Sequence, residues 1–198
     1  VDSHAGKTRK GAFIMNIVQP IRDYEKLEGM KRSLKEKNER NYVLLMTGLY
    51  TALRISDILK IKVGDIKGDH INVREKKTSK FRRIYLHNDL KKALKSYTTD
   101  KPPYEYLFKS RQQGNKPITR AMAYVILREI AEEFGLDSIG THSLRKTFGY
   151  WTYKETKDVA GLQKLFNHSY PEETLRYIGI EQDDVNNLIK NAYRNAGK

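Results

Sequence analysis

No cysteine occurs in the 198 residues, so disulfide scaffolds, thiolate-bound zinc and thiol nucleophiles are excluded. No apolar run approaches the length of a membrane span, and nothing near the start reads as a signal peptide. There is also no internal repeat, heptad run or low-complexity segment. Acidic residues are scarce, with 24 Asp and Glu against 38 Lys and Arg, a formal charge of +14 and a pI near 9.7. That excess points to a polyanion partner, nucleic acid ahead of a membrane surface. A highly soluble protein with no such partner is the bland alternative, and charge alone says nothing about chemistry. The absence of cysteine fits a cytoplasmic protein.

The length suits one domain with one core. Val1 to Lys10 is polar and unpatterned. Residues 1–15 are therefore expected to be a disordered tail or remnant, and residues 16–198 the domain. Pro20 opens a charged amphipathic stretch to about Lys37, and Asn41 to Leu53 (NYVLLMTGLYTAL) is apolar enough for a buried helix. Helical spacing continues over Ile55 to Ile61. Ile71 to Arg74 and Arg83 to Leu86 read as two strands joined by a basic turn, Glu75 to Arg82. Asp89 to Tyr97 returns to helix. Thr119 is a plausible N-cap for a helix ending at Gly135. From His142 onward the chain reads as helices broken at Asn167 to Pro171 and at Gly179. The last, residues 181–195, places Val185, Leu188, Ile189 and Ala192 on one face. The expected fold class is mainly α with a small antiparallel β-sheet.

Cleaving a DNA phosphodiester needs a nucleophile at phosphorus, cations on the non-bridging oxygens and an acid for the departing sugar oxygen. Without a metal or cofactor the cations must be side chains, and the planar fork of Arg suits a phosphate. The sequence offers Arg54 in TALRISDIL, Lys77 in EKKTSKFRRIYL, His142 and Arg145 in THSLRKTFGY, and His168 and Tyr177 in NHSYPEETLRY. Taken singly these are weak signals. An isolated Arg is usually a solvated charge, His168 alone would more often be structural, and Tyr177 is one of thirteen tyrosines.

In order and spacing, from about Asn41 to Tyr177, they resemble the tyrosine recombinases, the group of lambda-type phage integrases and Xer-type resolvases. The resemblance implies that Arg54 is the first catalytic arginine, with Asp57 where the family has an acid that could orient it. It implies that Lys77 is the β-hairpin general acid, although Lys76 and Lys80 lie beside it. His142 and Arg145 match the His-x-Leu-Arg motif, His168 the His or Trp nine residues before the nucleophile, and Tyr177 the nucleophile. Lys76, Lys80, Arg82 and Lys146 are expected to contact DNA. Two departures are visible: Phe166-Asn167-His168 replaces the usual Leu-Gly-His, where Asn tolerates the backbone Gly serves, and Trp151 stands where many members carry a small residue.

The resemblance implies strand cleavage and rejoining through a 3′-phosphotyrosine, without metal or ATP, on double-stranded DNA and within a tetramer. The protein would be encoded by a bacterium, phage or mobile element, and its DNA binding would weaken steeply with salt. A type IB topoisomerase, a non-catalytic DNA-binding relative and a protein- or RNA-binding domain with coincidental motifs are the rivals. The roughly forty residues before Asn41 leave no room for the family's N-terminal core-binding domain. The chain thus reads as an excised catalytic half, which would bind DNA weakly and as a monomer, or as a short single-domain member; Val1 and the unpatterned tail favour excision. The final helix could dock on a neighbouring protomer or on its own domain.

Overall fold

Residue types that satisfy orphan backbone groups set the helix boundaries. The computed structural model describes residues 18–74, 80–112 and 114–191. Asp23 opens helix α1 (Tyr24–Lys37), its carboxylate accepting from the Lys26 N–H at 3.0 Å. Asn38 ends α1 and caps helix α2 (Glu39–Thr51), its side chain accepting from the Asn41 N–H at 3.2 Å. Residues 18–22 are not helical and form a strap without regular secondary structure ahead of α1. Val43, Leu44, Leu45 and Met46 are all buried, so α2 is apolar all round, as a central helix must be.

Past α2 the chain makes a short helix α3 (Ile55–Ile58), a 3-10 turn (Val63–Asp65) and a three-stranded antiparallel sheet in the order β1 (Ile66–Lys67), β2 (His70–Arg74), β3 (Phe81–Tyr85). The helical reading of Ile55 to Ile61 shortens to one turn, and the sheet has a third strand that the sequence pattern did not announce. Ile71 pairs with Ile84 and Val73 with Arg82, which turns one face of the ribbon onto the core. Phe81, Arg83 and Tyr85 face outward. The link between Arg74 and Lys80, which carries Lys76 and Lys77, lies outside the described residues, as do the expected tail and Ala192.

Helix α4 (Asn88–Thr98) follows, then α5 (Arg120–Glu133), capped by the Thr119 hydroxyl on the Met122 N–H at 3.1 Å and closed at Gly135. Four helices follow among the described residues: α6 (Thr141–Thr156), α7 (Val159–Phe166), α8 (Pro171–Ile178) and α9, described over Ile180–Asn191. The α6–α7 break falls at Lys157, which takes positive φ as a C-cap without glycine. Among the described residues no helix is long and apolar enough to cross a membrane.

Helix α2 packs on α1, α4 and α6, and divides two larger apolar clusters. A third and smaller cluster joins Ala52 to Tyr150, Leu162, Phe166, Ile178 and Ile180, bringing the end of α2 against the C-terminal helices. The α2–α6 approach is close at Gly48, where an added Cβ would lie 2.9 Å from Leu144 Cβ and 2.3 Å from its Cδ1. Leu144 precedes Arg145, so this contact sets where that arginine starts. Gly48→Ala is expected to lower unfolding free energy by about 1–3 kcal/mol, the usual cost of overpacking. Urea denaturation checks this, and a variant as stable as the parent would contradict the close approach.

Candidate active site

Three chain reversals, none made with glycine, bring the predicted residues together. Ala52 ends α2 in the left-handed region, φ 55° and ψ 16°, and turns the chain so that Arg54 starts α3. Asn167 ends α7 at φ 58° and ψ 50° and delivers His168, as the Asn-for-Gly departure anticipates. Tyr170 and Pro171 then open α8, with proline in the first turn where its missing N–H costs nothing. Tyr177 stands near the C-terminus of that helix.

Arg145 holds the arrangement. It lies on α6, is 4% exposed, and donates through Nη1 to the Ala52 carbonyl and through Nη2 to the Phe166 carbonyl at 3.2 Å. The guanidinium also lies over the Phe166 ring, 4.6 Å from its centroid, and its charge acts on the Tyr177 phenol. One planar cation thus brings the ends of α2 and α7 to the C-terminal turn of α8.

The other members surround the phenol. The His168 ring meets the Tyr177 ring edge-on at 5.2 Å, and Phe166 meets it at 5.3 Å. His168 is fixed from behind by Thr174, whose hydroxyl lies 3.0 Å from Nδ1. Thr174 is fully buried, one turn before Tyr177 on the same helix. Arg54 is half-buried, and its charge acts on His142, His168 and Tyr177 alike. His142, in the first turn of α6, is open to solvent on one side. Asp57 is buried on α3, its N–H bonded to the Arg54 carbonyl at 2.8 Å.

These contacts push the titrating groups in opposite directions. Burial raises the Tyr177 phenol above its ordinary range, and Arg145 and Arg54 pull it back only in part. Burial and then the cations Arg145, Arg54 and Lys146 lower the His142 imidazole. His168 is lowered too, by burial foremost, with Glu173 opposing and Arg145 and Arg54 adding to the effect. The resting site therefore holds a neutral phenol and imidazoles favoured in the neutral form, against fixed guanidinium charge. That is a seat for an anion.

Arg54 and Arg145 act together on His142, His168 and Tyr177, and Asp57 is buried three residues past Arg54 on α3. Lys76 and Lys77 lie outside the described residues. Lys80 is exposed beside β3, whereas Arg82 is half-buried on its inner face. Lys146 is half-buried over the Tyr177 ring at 5.2 Å from its centroid, and burial and Arg22 lower its ammonium. The sequence pattern did not single out Thr174, which shares a helix face with Tyr177 three residues on. Nor did it single out the two carbonyls that hold Arg145, for which no side-chain signal exists.

Known proteins share this arrangement of chain. The model of the phage integrase family matches residues 22–184. The probable integrase/recombinase YoeC of Bacillus subtilis is 52% identical over 177 residues, covering 89% of this chain and 97% of that protein. The probable integrase/recombinase of Acholeplasma phage L2 is 30% identical over 173 residues, covering 84% of this chain and 56% of the phage protein. Among solved structures, XerA recombinase superposes with a TM-score of 0.68 at 21% identity, covering 81% of this chain and 60% of that one. A lambda integrase dimer bound to a core site gives 0.65 at 16%, covering 89% and 50%. The chain thus spans about half to three-fifths of the length of these last three relatives, and the structural likenesses establish the mainly helical fold with its small sheet.

The electrostatics can be checked without DNA. In a pH titration of ¹³C-labelled tyrosine, Tyr177 should have its midpoint above the ordinary value of 10.0, and Arg54→Gln should raise it further, because the phenolate loses a cation. A midpoint that falls on removing Arg54 would contradict this balance of charge.

Proposed function

The chain belongs to the phage integrase family and carries a tyrosine recombinase catalytic domain; on that footing we propose that it cuts and rejoins duplex DNA through a 3′-phosphotyrosine at Tyr177. The observation that carries the reading is that Arg145 and Arg54 both act on the Tyr177 phenol, whose ring His168 meets edge-on at 5.2 Å, with His142 beside the same two cations. A scissile phosphate is an anion that suits such a cationic pocket.

The Tyr177 oxygen attacks phosphorus as its proton passes to His142, and the bond from phosphorus to the 5′ oxygen breaks. Lys77 protonates the departing 5′ oxygen. Arg54 and Arg145 neutralise the non-bridging oxygens of the five-coordinate transition state, and His168 donates a hydrogen bond to one of them. Asp57 orients Arg54. The covalent link conserves bond energy, so a 5′-hydroxyl from a second strand reverses the step without ATP or metal. Lys76, Lys80 and Arg82 would contact the phosphates flanking the cut, with Lys146 closer in beside Tyr177. Recombination by this chemistry takes two rounds, through a Holliday junction in an assembly of four protomers; the chain by itself is proposed to be monomeric and to bind DNA weakly.

Nicked duplexes with a randomised core provide a substrate, because loss of the short nicked fragment traps the adduct and sequencing it reports the site. The parent chain should yield a denaturant-resistant protein–DNA adduct, and Tyr177→Phe should yield none while retaining its DNA binding. An adduct from Tyr177→Phe would sink the assignment. Relaxation of a supercoiled plasmid lacking the recovered site would favour a type IB topoisomerase instead.

The lowered His142 imidazole gives a pH signature. A proton acceptor must be neutral, and His142 becomes charged only below its ordinary 6.5. Single-turnover cleavage should therefore hold its rate as pH falls through 6.5 and decline below it. His142→Gln should abolish that limb and slow cleavage by about 10²–10⁴-fold. An acid limb centred above the ordinary histidine value would contradict the role.

A further inference from the structure

Arg22 lies on the strap before α1, yet its guanidinium is spent on the far end of the chain. Nε donates to Asp183 Oδ1 at 2.9 Å, Nη2 to the Gly179 carbonyl at 3.1 Å and Nη1 to Gln19 Oε1 at 3.2 Å. The same group sits 5.5 Å from the centroid of the Tyr150 ring, and the Asp183 carboxylate acts on the Tyr150 phenol and raises it. Gly179 is the C-cap of α8, at φ 82°, two residues beyond Tyr177. A Cβ there would lie 2.5 Å from Arg22 Nη2, so the guanidinium fills the space that glycine leaves open.

The strap is itself fastened to α6. The Ile21 N–H donates to Thr147 Oγ1 at 2.8 Å, the Trp151 indole N–H donates to the Ile21 carbonyl at 3.0 Å, and the Gln19 N–H reaches the Ser138 carbonyl at 2.8 Å. Thr147 lies two residues beyond Arg145 on α6. A closed circuit results: α6 acts on Tyr177 directly through the charge of Arg145, and grips the turn after Tyr177 through the strap and Arg22. Helix α8 has eight residues between two left-handed breaks, so its own length does little to fix its rotation.

We infer that Arg22 is a positioning residue for Tyr177: by holding the Gly179 carbonyl and Asp183 against α6, it sets the rotation of α8 and hence where the phenol points. Three bonds, one within the strap and two to the turn from Gly179 to Asp183, call for the planar fork of arginine, which a lysine does not supply. The consequence for rate rests on Tyr177 being the attacking group, as proposed above; the consequence for phenol placement does not. A displacement of about 1 Å in an attacking group can cost roughly 10²-fold.

The test begins with ¹³C-tyrosine NMR of the 198-residue chain, Tyr177 being assigned by Tyr177→Phe. Arg22→Ala and Asp183→Asn should move both the Tyr150 and Tyr177 signals and leave the other tyrosines in place. Arg22→Lys should restore only part of the change. Tyr150 is a direct neighbour of Arg22, so movement of Tyr150 alone, with Tyr177 unmoved in Arg22→Ala and Asp183→Asn, would overturn the inference. Should Arg22→Ala fail to fold, Asp183→Asn and Arg22→Lys decide by the same signals. On the DNA sequence recovered by adduct trapping, Arg22→Ala should slow single-turnover cleavage about 10–100-fold with DNA affinity unchanged; cleavage at the parent rate would equally overturn it. If Tyr177→Phe still formed an adduct, the nucleophile assignment would fall, and the NMR result would still decide whether Arg22 fixes the phenol.

Discussion

A buried guanidinium is costly unless every face of it is answered, and the C-terminal half of this fold is arranged around answering Arg145. The Ala52 and Phe166 carbonyls accept its hydrogen bonds and the Phe166 ring stacks against it, while its charge reaches the Tyr177 phenol. Removing one partner of a buried charge costs about 3–5 kcal/mol in typical cases, so the arginine and its neighbours specify one another. Each acceptor also ends a helix by left-handed backbone or stands beside a residue that does: Ala52 is itself the C-cap of α2, and Phe166 precedes Asn167 at the end of α7. The turns that bring Arg54 and His168 inward are the turns that free carbonyls for Arg145.

From that centre the electrostatics follow. Two guanidinium groups and an ammonium surround the phenol and the imidazoles, while burial works against charge on all three titrating groups. The protein stores positive charge on arginine, which cannot give it up, and keeps the groups that handle protons neutral. A dianionic transition state would satisfy the fixed charges and draw out the phenol proton together. The same positive balance pervades the sequence, +14 overall, and it favours a polyanionic partner throughout.

Much of this was legible in the sequence because it was carried by side chains in a recognisable order. The run after Asn41 was apolar enough for a buried helix, Thr119 and Gly135 bounded another, and the series Arg54, His142, Arg145, His168 and Tyr177 picked out a candidate site by its order and spacing. Features carried by backbone or by long-range contact escaped. Strand β1 has two residues, too few for a period-2 pattern to register. Lys157 breaks a helix where no glycine signals it. The carbonyls of Ala52 and Phe166 have no sequence signature, and Arg22 looks like any surface charge until Asp183 arrives 161 residues later. The apolar residues Val185 and Ile189 of α9, expected to pack on a neighbour or on their own domain, remain half or more exposed in the single chain.

The central claim is that one phenol among thirteen becomes joined to DNA. The most direct measurement is mass spectrometry of the trapped adduct after exhaustive protease and nuclease digestion, which locates the residual nucleotide on a single peptide. The account predicts a 3′-phosphonucleotide on the peptide spanning Tyr177 and on no other. A nucleotide carried by a different tyrosine, or by a serine or histidine, would contradict it.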